Sequence, residues 1–559
     1  MIRTRYPAPG SPANGATPSV EPTAEPVPDE GTPPATPPVR VAVIGPGLGA
    51  EAASWAMSAV LVTSVSTTLA LLDPRLRHWF VIPVTVCGVL IGVDAIEWVR
   101  RRRDIFDPQA ILGLLGMHFF YLAPILNVML DHWPRHLVGP PDWRAALGTM
   151  ALLNVLGLCL YRVVLGFRDR PQPRPRRASR FDERAFHRVG LAAVLVSVLA
   201  FCGEVAMFGG LSGYLNTMTG ESDRVELTGL GWLLILGEAF PMIIFALVLV
   251  RWRSWLAGHR SVILLLLVGL ALMQFFVGGL RGSRSNTIWP ILIGLTLVHL
   301  LVARVSRKAL LVFLLVVGLF IYTYGLYKSA GLEVLDAARG TRSVGDISSE
   351  TGRDVPSLLL GDLSRADIQA LVLDRQLRSD AELAYGVTYL GDVSFLVPGA
   401  VLPVRPTDKV AAGTDLLFGP GAYESGMRSS RVYGLAGEAI MNFGPAGGVL
   451  SFAFLGMLVR FGRRYYARAR QQGSLTAKLL GPMALVCAFL PTADLDNNTW
   501  FLLKYVLPVA AVVWLARQGR RSVDRAARPA KYAGSATAVR TRRPAAAPGA
   551  WPLPDPSRR

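Results

Sequence analysis

The residues of this chain best suited to chemistry are arginines and carboxylates set against apolar runs. Arg281 and Arg284 stand in GGLRGSRSNTIWP, residues 278–290, between two long apolar stretches. A guanidinium is a planar fork of donors that meets phosphate oxygens two at a time, so two in one tight turn suit a lipid diphosphate. Gly278, Gly279 and Gly282 let the backbone approach such a ligand, and Ser283, Ser285 and Asn286 add neutral donors. The plainer reading is that both cations reach lipid phosphates or pair with carboxylates of the long loop at 330–432. A second group lies in RSSRVYGLAGEAIMNFGPAGG, residues 428–448, where Arg428 and Arg431 precede Glu438. A carboxylate among such apolar and small residues is costly at membrane depth unless paired or functional, so Glu438 reads either as an arginine's partner or as a group acting on substrate. Asn442 and the glycines after it look like packing around a bend. Asp494 and Asp496, in PTADLDNNTW, read first as a solvated turn and second as a sugar-binding pair.

Other patterns carry less. VAVIGPGLGAEAA, residues 41–53, imitates a dinucleotide fingerprint through Gly45, Gly47 and Ala50, with Asp73 at a plausible distance. A Rossmann unit needs further strands around it, and the would-be second strand falls in an apolar span, so a junction entering the bilayer is the better reading. His132 and His136 are near one another in DHWPRH, but Pro134 between them disfavours the helical spacing a metal site would use. Cys87, Cys159, Cys202 and Cys487 all lie in apolar runs without a CxxC pair, which implies neither a disulfide framework nor a zinc site.

The elements that must position these groups are membrane helices. Hydrophobic residues make up 52% of the 559 and charged residues 17%, and the mean hydropathy is +0.39. That combination points to the bilayer rather than to a large soluble core. Apolar runs long enough to cross a hydrocarbon layer of about 30 Å fall at 52–72, 78–99, 109–130, 145–166, 189–211, 230–250, 261–280, 287–303, 309–328, 445–460, 475–492 and 499–516. The expected fold is therefore all-α, a polytopic membrane protein of about twelve spans. It divides into a tail at 1–50, spans at 51–329, one large loop at 330–432, spans at 433–521 and a second tail at 522–559. Both tails are rich in Pro and Ala and read as disordered and cytoplasmic, with no cleavable signal peptide at the start.

The net charge of +19 fits topology better than nucleic acid, because the arginines cluster between spans. Basic loops at 100–103, 168–180, 251–253, 304–308, 460–470 and 517–521 alternate with lightly charged ones and mark the inside. The RGSRSN turn and the large loop then face out, and the ionisable residues gather on that face. Within the loop, residues 355–377 have near-helical apolar spacing and are expected to lie as a helix against the membrane face. Residues 388–409, broken by Pro398, Pro403 and Pro406, are expected to be largely irregular or re-entrant.

Three features taken together resemble the oligosaccharide repeat-unit polymerases, the O-antigen polymerase family: the GxR-type turn GGLRGSRSN, the proline-rich LVPGAVLPVRP ending in a basic-Pro pair, and the return segment GEAIMNFGPAGG. They cover roughly residues 261–460. The resemblance implies a C-type glycosyltransferase-like architecture, extracytoplasmic chemistry, an undecaprenyl-diphosphate-linked donor, and no metal or other cofactor. Arg281 and Arg284 carry over as the cationic pair, and Arg405 stands where the family often has Lys before Pro. An Arg with Gly eleven positions on, a spacing seen in some polymerases, occurs at Arg375 and Gly386. The related O-antigen ligases are similar to a pattern with a functional loop histidine, and residues 330–432 contain none.

The expected activity is glycosyl transfer between polyprenyl-diphosphate-linked oligosaccharides. Arg281, Arg284 and Glu438 are the expected catalytic residues; Arg365, Arg405, Arg428, Arg431, Ser283 and Asn286 are expected to bind substrate. Membrane lipid, a chain-length regulator and a flippase are the expected partners, and nucleic acid is not one. A ligase, a flippase and a non-catalytic scaffold are the alternatives, the flippase disfavoured by ionisable residues gathered at one face.

Overall fold

The computed structural model describes residues 48–134, 137–167, 181–219, 231–280, 284–330, 339–351, 354–378, 381–394, 396–397, 401–429, 431–471 and 473–526. Of residues 1–49, only the start of a helix at Leu48 is described. Both tails lie outside the described residues except at their inner edges, as do the basic loop 168–180, His136, Gly45 and Gly47. Every element among the described residues is helical.

Among the described residues eleven helices are long and apolar enough to cross a membrane, and the chain is a multi-pass membrane protein. In order they are α1 (Glu51–Leu72), α2 (Val81–Val99), α3 (Pro108–Met129), α4 (Trp143–Gly166), α5 (Glu183–Met207), α6 (Gly231–Leu256) and α7 (Arg260–Gly279). After the shorter α8 (Ser285–Leu301) come α9 (Arg307–Tyr327), then α10 (Val344–Thr351), α11 (Ala366–Leu377), α12 (Val387–Ser394) and α13 (Lys409–Phe418) of the intervening segment. The last three spans are α14 (Gly434–Gln471), α15 (Leu475–Thr492) and α16 (Leu495–Arg517). Helices suit an apolar solvent because each satisfies its own backbone groups. The apolar run expected at 287–303 forms α8, which is 17 residues long, or about 26 Å at helical rise, a little under the hydrocarbon thickness.

Small residues set the central packing. α4 and α14 approach through Gly157, where a Cβ would run into the Phe452 ring, and through Gly456, where it would meet Val164 at 3.0 Å. The expected span at 445–460 is corrected to a helix of 38 residues that begins at Gly434. Gly444, at φ 68° and ψ −165°, kinks it ahead of Pro445, and helix resumes on both sides, so the proline bends the element without starting it.

The segment between α9 and α14 also departs from expectation. Residues 355–362 and 366–377 are helical with a break at 363–365, but α11 does not lie on a membrane face: every residue from Ala366 to Leu373 is buried, within the core that includes α4 and α14. Gln369 is accommodated there by donating through Nε2 to the Tyr433 carbonyl at 2.8 Å. The stretch 388–409 begins as the two turns of α12 and gives way to non-helical backbone only after Ser394. Asp73 has a local duty, capping a short turn at Pro74–Leu76 and pairing with Arg75 at 3.1 Å.

Ionisable residues do not gather at one end of the bundle. Asp94 of α2, fully buried, pairs with Arg162 of α4 at 3.0 Å and takes hydrogen bonds from Tyr161 and Gln109. Glu238 of α6, also fully buried, pairs with Lys504 of α16 at 3.1 Å. Burial of such charges requires compensation of this kind.

The start of α14 carries a testable constraint. Gly434 has φ +69°, and a Cβ there would run into the Pro491 carbonyl oxygen. Gly434→Ala is expected to cost about 2–4 kcal/mol, combining left-handed strain with overpacking against rigid backbone. Thermal melting of the purified protein checks this, and an unchanged midpoint would refute the close approach.

Candidate functional site

The charged groups of the long segment and of the α15–α16 turn meet at the end of the bundle where α14 and α16 begin. Asp494, read from sequence as part of a solvated turn, is fully buried. Its Oδ2 accepts from Lys409 Nζ at 2.5 Å, and its Oδ1 accepts from the backbone N–H groups of Tyr433 and Gly434 at 2.8 and 2.6 Å. Asp496 Oδ1 takes a second bond from the same ammonium at 2.6 Å. Lys409 is the first residue of α13, whose N-cap is Asp408, so one lysine ties the long segment to the turn before α16. Burial alone would lower the Lys409 pKa, but Asp494 and Asp496 outweigh it and hold the group charged.

Glu438 lies one turn into α14, 2% exposed. Its Oε2 accepts from the Leu495 N–H at 2.9 Å. Asp392 of α12 is among the carboxyls that act on it electrostatically. Asn442 fixes that juxtaposition. Its Oδ1 accepts from the Gly386 N–H at 2.9 Å, its Nδ2 donates to Thr388 Oγ1 at 2.6 Å, and its carbonyl accepts from Tyr385. The Asp392 carboxyl titrates above the usual carboxylate range, through burial first and the nearby charge of Asp496 second.

The arginines arrive by different routes. Arg284 closes a two-pronged ion pair with Asp362, Nη1 to Oδ2 and Nη2 to Oδ1, each 2.7 Å. The plainer sequence reading, pairing with the long loop, thus holds for this residue. Arg365 wraps its Nη1 around the carbonyls of Gly361, Asp362 and Ser364, leaving Nε shut from solvent without a partner. Burial holds its pKa below the usual arginine value, while Asp494, Asp367 and Asp362 pull the other way and Arg284 adds to the lowering. Arg431 acts electrostatically on Asp367, a buried carboxyl whose pKa burial raises. Arg284, Arg365 and Arg431 therefore share one electrostatic neighbourhood with Asp494 and Glu438.

The remaining expected site residues are held locally or lie outside the described residues. Asn286 donates to the Gly278 carbonyl at 2.9 Å and accepts from the Tyr505 hydroxyl at 3.1 Å, so it fastens the turn. Arg405 donates to the Val397 carbonyl at 3.3 Å. Arg428 stacks 3.7 Å from the Tyr423 ring and donates to two neighbouring carbonyls. Arg375 donates to the Leu417 carbonyl at 3.4 Å, and Gly386, at φ +87°, packs beside Phe443. Arg281 and Ser283 lie outside the described residues.

Sequence reasoning missed Asp392, Lys409, Asp362 and Asp367. Each is an ordinary polar residue in a long loop, and the partners that single out Asp362, Asp392 and Lys409 lie from 46 to 87 positions away. Comparisons with protein-family models, with curated proteins and with solved structures found no match to this chain.

Proposed function

We propose that the protein is a membrane glycosyltransferase that joins lipid-diphosphate-linked oligosaccharides at the outer face of the cytoplasmic membrane, a repeat-unit polymerase. The observation that carries this reading is a chain of charges: Arg284 and Asp494 both act on Arg365, and Asp494 in turn acts on Glu438. Cations for a diphosphate and a proton acceptor for a hydroxyl are what the reaction needs side by side.

In the proposed reaction an acceptor sugar hydroxyl attacks the anomeric carbon of the donor. The carbon–oxygen bond to the diphosphate breaks, and its electron pair leaves with the lipid diphosphate. The hydroxyl proton passes to Glu438. Arg281 and Arg284 hold the diphosphate as its charge grows, with Arg365 and Arg431 adding positive potential. Arg284 must exchange Asp362 for phosphate oxygens, and both are acceptors of the same two-pronged geometry. Arg405 and Arg428, held by local backbone, and Asn286, held by the Gly278 carbonyl and the Tyr505 hydroxyl, shape the surrounding loops and the turn in this scheme.

One observation favours a second reading, a flippase for the same lipid-linked units. Ion pairs inside the spans, Asp94 with Arg162 and Glu238 with Lys504, are features that transport proteins use. The two readings separate in cells depleted of the protein, by asking on which side of the membrane single units collect. Accumulation outside is the expected result, with polymer lost. Accumulation inside would replace the polymerase reading with the flippase.

A further inference from the structure

We propose that Asp392 and Glu438 form a single proton-sharing unit, in which Asp392 is a positioning residue that sets the charge and direction of the Glu438 carboxyl. This rests on the transfer reading only for the use made of the proton; the sharing itself stands on geometry.

α12 and the start of α14 face each other in opposite senses, in two rungs. Thr388 meets Asn442 in one, through the 2.6 Å bond from Nδ2 to Oγ1. Asp392 lies four residues after Thr388, and Glu438 four residues before Asn442, so one helical turn brings both carboxyls to the next rung. Each carboxyl has one oxygen fixed by a backbone N–H. Asp392 Oδ1 accepts from Lys409 N at 3.3 Å, and Glu438 Oε2 accepts from Leu495 N at 2.9 Å. The other two oxygens, Asp392 Oδ2 and Glu438 Oε1, are buried and receive no donor from any protein group.

Two carboxylate oxygens facing each other out of water repel unless a proton lies between them. The nearest ammonium donates to neither of these oxygens, because Lys409 Nζ bonds Asp494 and Asp496. The groups around the pair are Tyr389 on α12, Lys409 on α13, and Asp494 and Asp496 at the start of α16. Two carboxylates share a lysine, and the other two share a proton.

The unit then holds one proton and one negative charge at rest. During transfer the acceptor hydroxyl gives its proton to the ionised carboxyl, leaving two protons on the pair. One passes on to water or to the departing diphosphate, and the resting state returns. Asp392 keeps Glu438 from being a fixed anion among Asp494 and Asp496, and aims its free oxygen.

Infrared spectroscopy of the full-length protein in lipid vesicles tests the sharing without reference to activity. At pH 7 a carboxylic-acid C=O band is expected, well above the range near pH 4 where exposed carboxyls ionise, and it should vanish on alkaline titration. Asp392→Asn and Glu438→Gln should each abolish or displace it, while Asp392→Glu, which keeps the carboxyl, should retain it. No acid band at pH 7, or one removed by only one of the two amide variants, overturns the sharing. So does a missing band together with a melting point lowered by a chelator, which would put a cation where the proton is assigned. Normal polymer in cells carrying Glu438→Gln overturns the transfer reading but not the sharing, which the acid band of the native protein tests by itself, so the two failures are told apart.

Discussion

Asp494→Ala is expected to lower the unfolding free energy by about 3–5 kcal/mol, the range for removing one partner of a buried ion pair. The loss comes from what remains. Lys409, 3% exposed, keeps its charge with only Asp496 to balance it. The N–H groups of Tyr433 and Gly434 lose their acceptor, which makes up part of the same loss. These two causes separate by design. Asp494→Asn keeps an oxygen for the N–H groups and removes only the charge, so it should fall between alanine and the native protein. Adding Lys409→Met to Asp494→Asn removes the stranded ammonium and should recover most of the stability. Denaturation of the purified protein in detergent measures all of these. A double variant no more stable than Asp494→Asn would mean that the ammonium is not the source of the loss.

The same residue shows where the sequence could be read and where it could not. The apolar runs were legible because a span is a local property: each of α1 to α7 falls within a few residues of a run, and α15 coincides with its own. α14 was misjudged by eleven residues because Gly444 and Pro445 look like a boundary, whereas a kinked helix continues through them. Helix was legible at 366–377 from apolar spacing, but its burial was not, since Asp367, Gln369 and Asp374 give it the composition of a surface helix. Asp494 and Asp496 sit in a polar turn whose meaning depends on Lys409, more than eighty positions back. Glu438 stood out by being a carboxylate among glycines and alanines, a local anomaly. Asp392 had no such contrast, and only the rung formed by Asn442 and Thr388 shows that it faces Glu438.

On the proposed polymerase reading, Arg284→Ala is expected to slow polymerisation by about two to three decades, the range for loss of one well-placed electrostatic donor. The ion pair with Asp362 makes this a sharper test than alanine alone would give. If Arg284 served only to hold the segment before α11, then Asp362→Ala should be as harmful as Arg284→Ala, because each removes the same two bonds. If Arg284 is released to a diphosphate, Asp362→Ala leaves the cation in place and should keep long polymer, with a modest loss of stability. Both side chains are partly exposed, at 27% and 18%, so solvent screening keeps the structural cost of either change to about 1 kcal/mol. Exchanging the two residues, Arg284→Asp with Asp362→Arg, restores the pair but moves the positive charge to the other element. Polymer length in cells, with protein level controlled, is expected to stay short in that variant while its melting point returns towards native. Long polymer from the exchanged protein would show that the pairing alone matters, and the diphosphate role would pass from Arg284 to the other cations of the site.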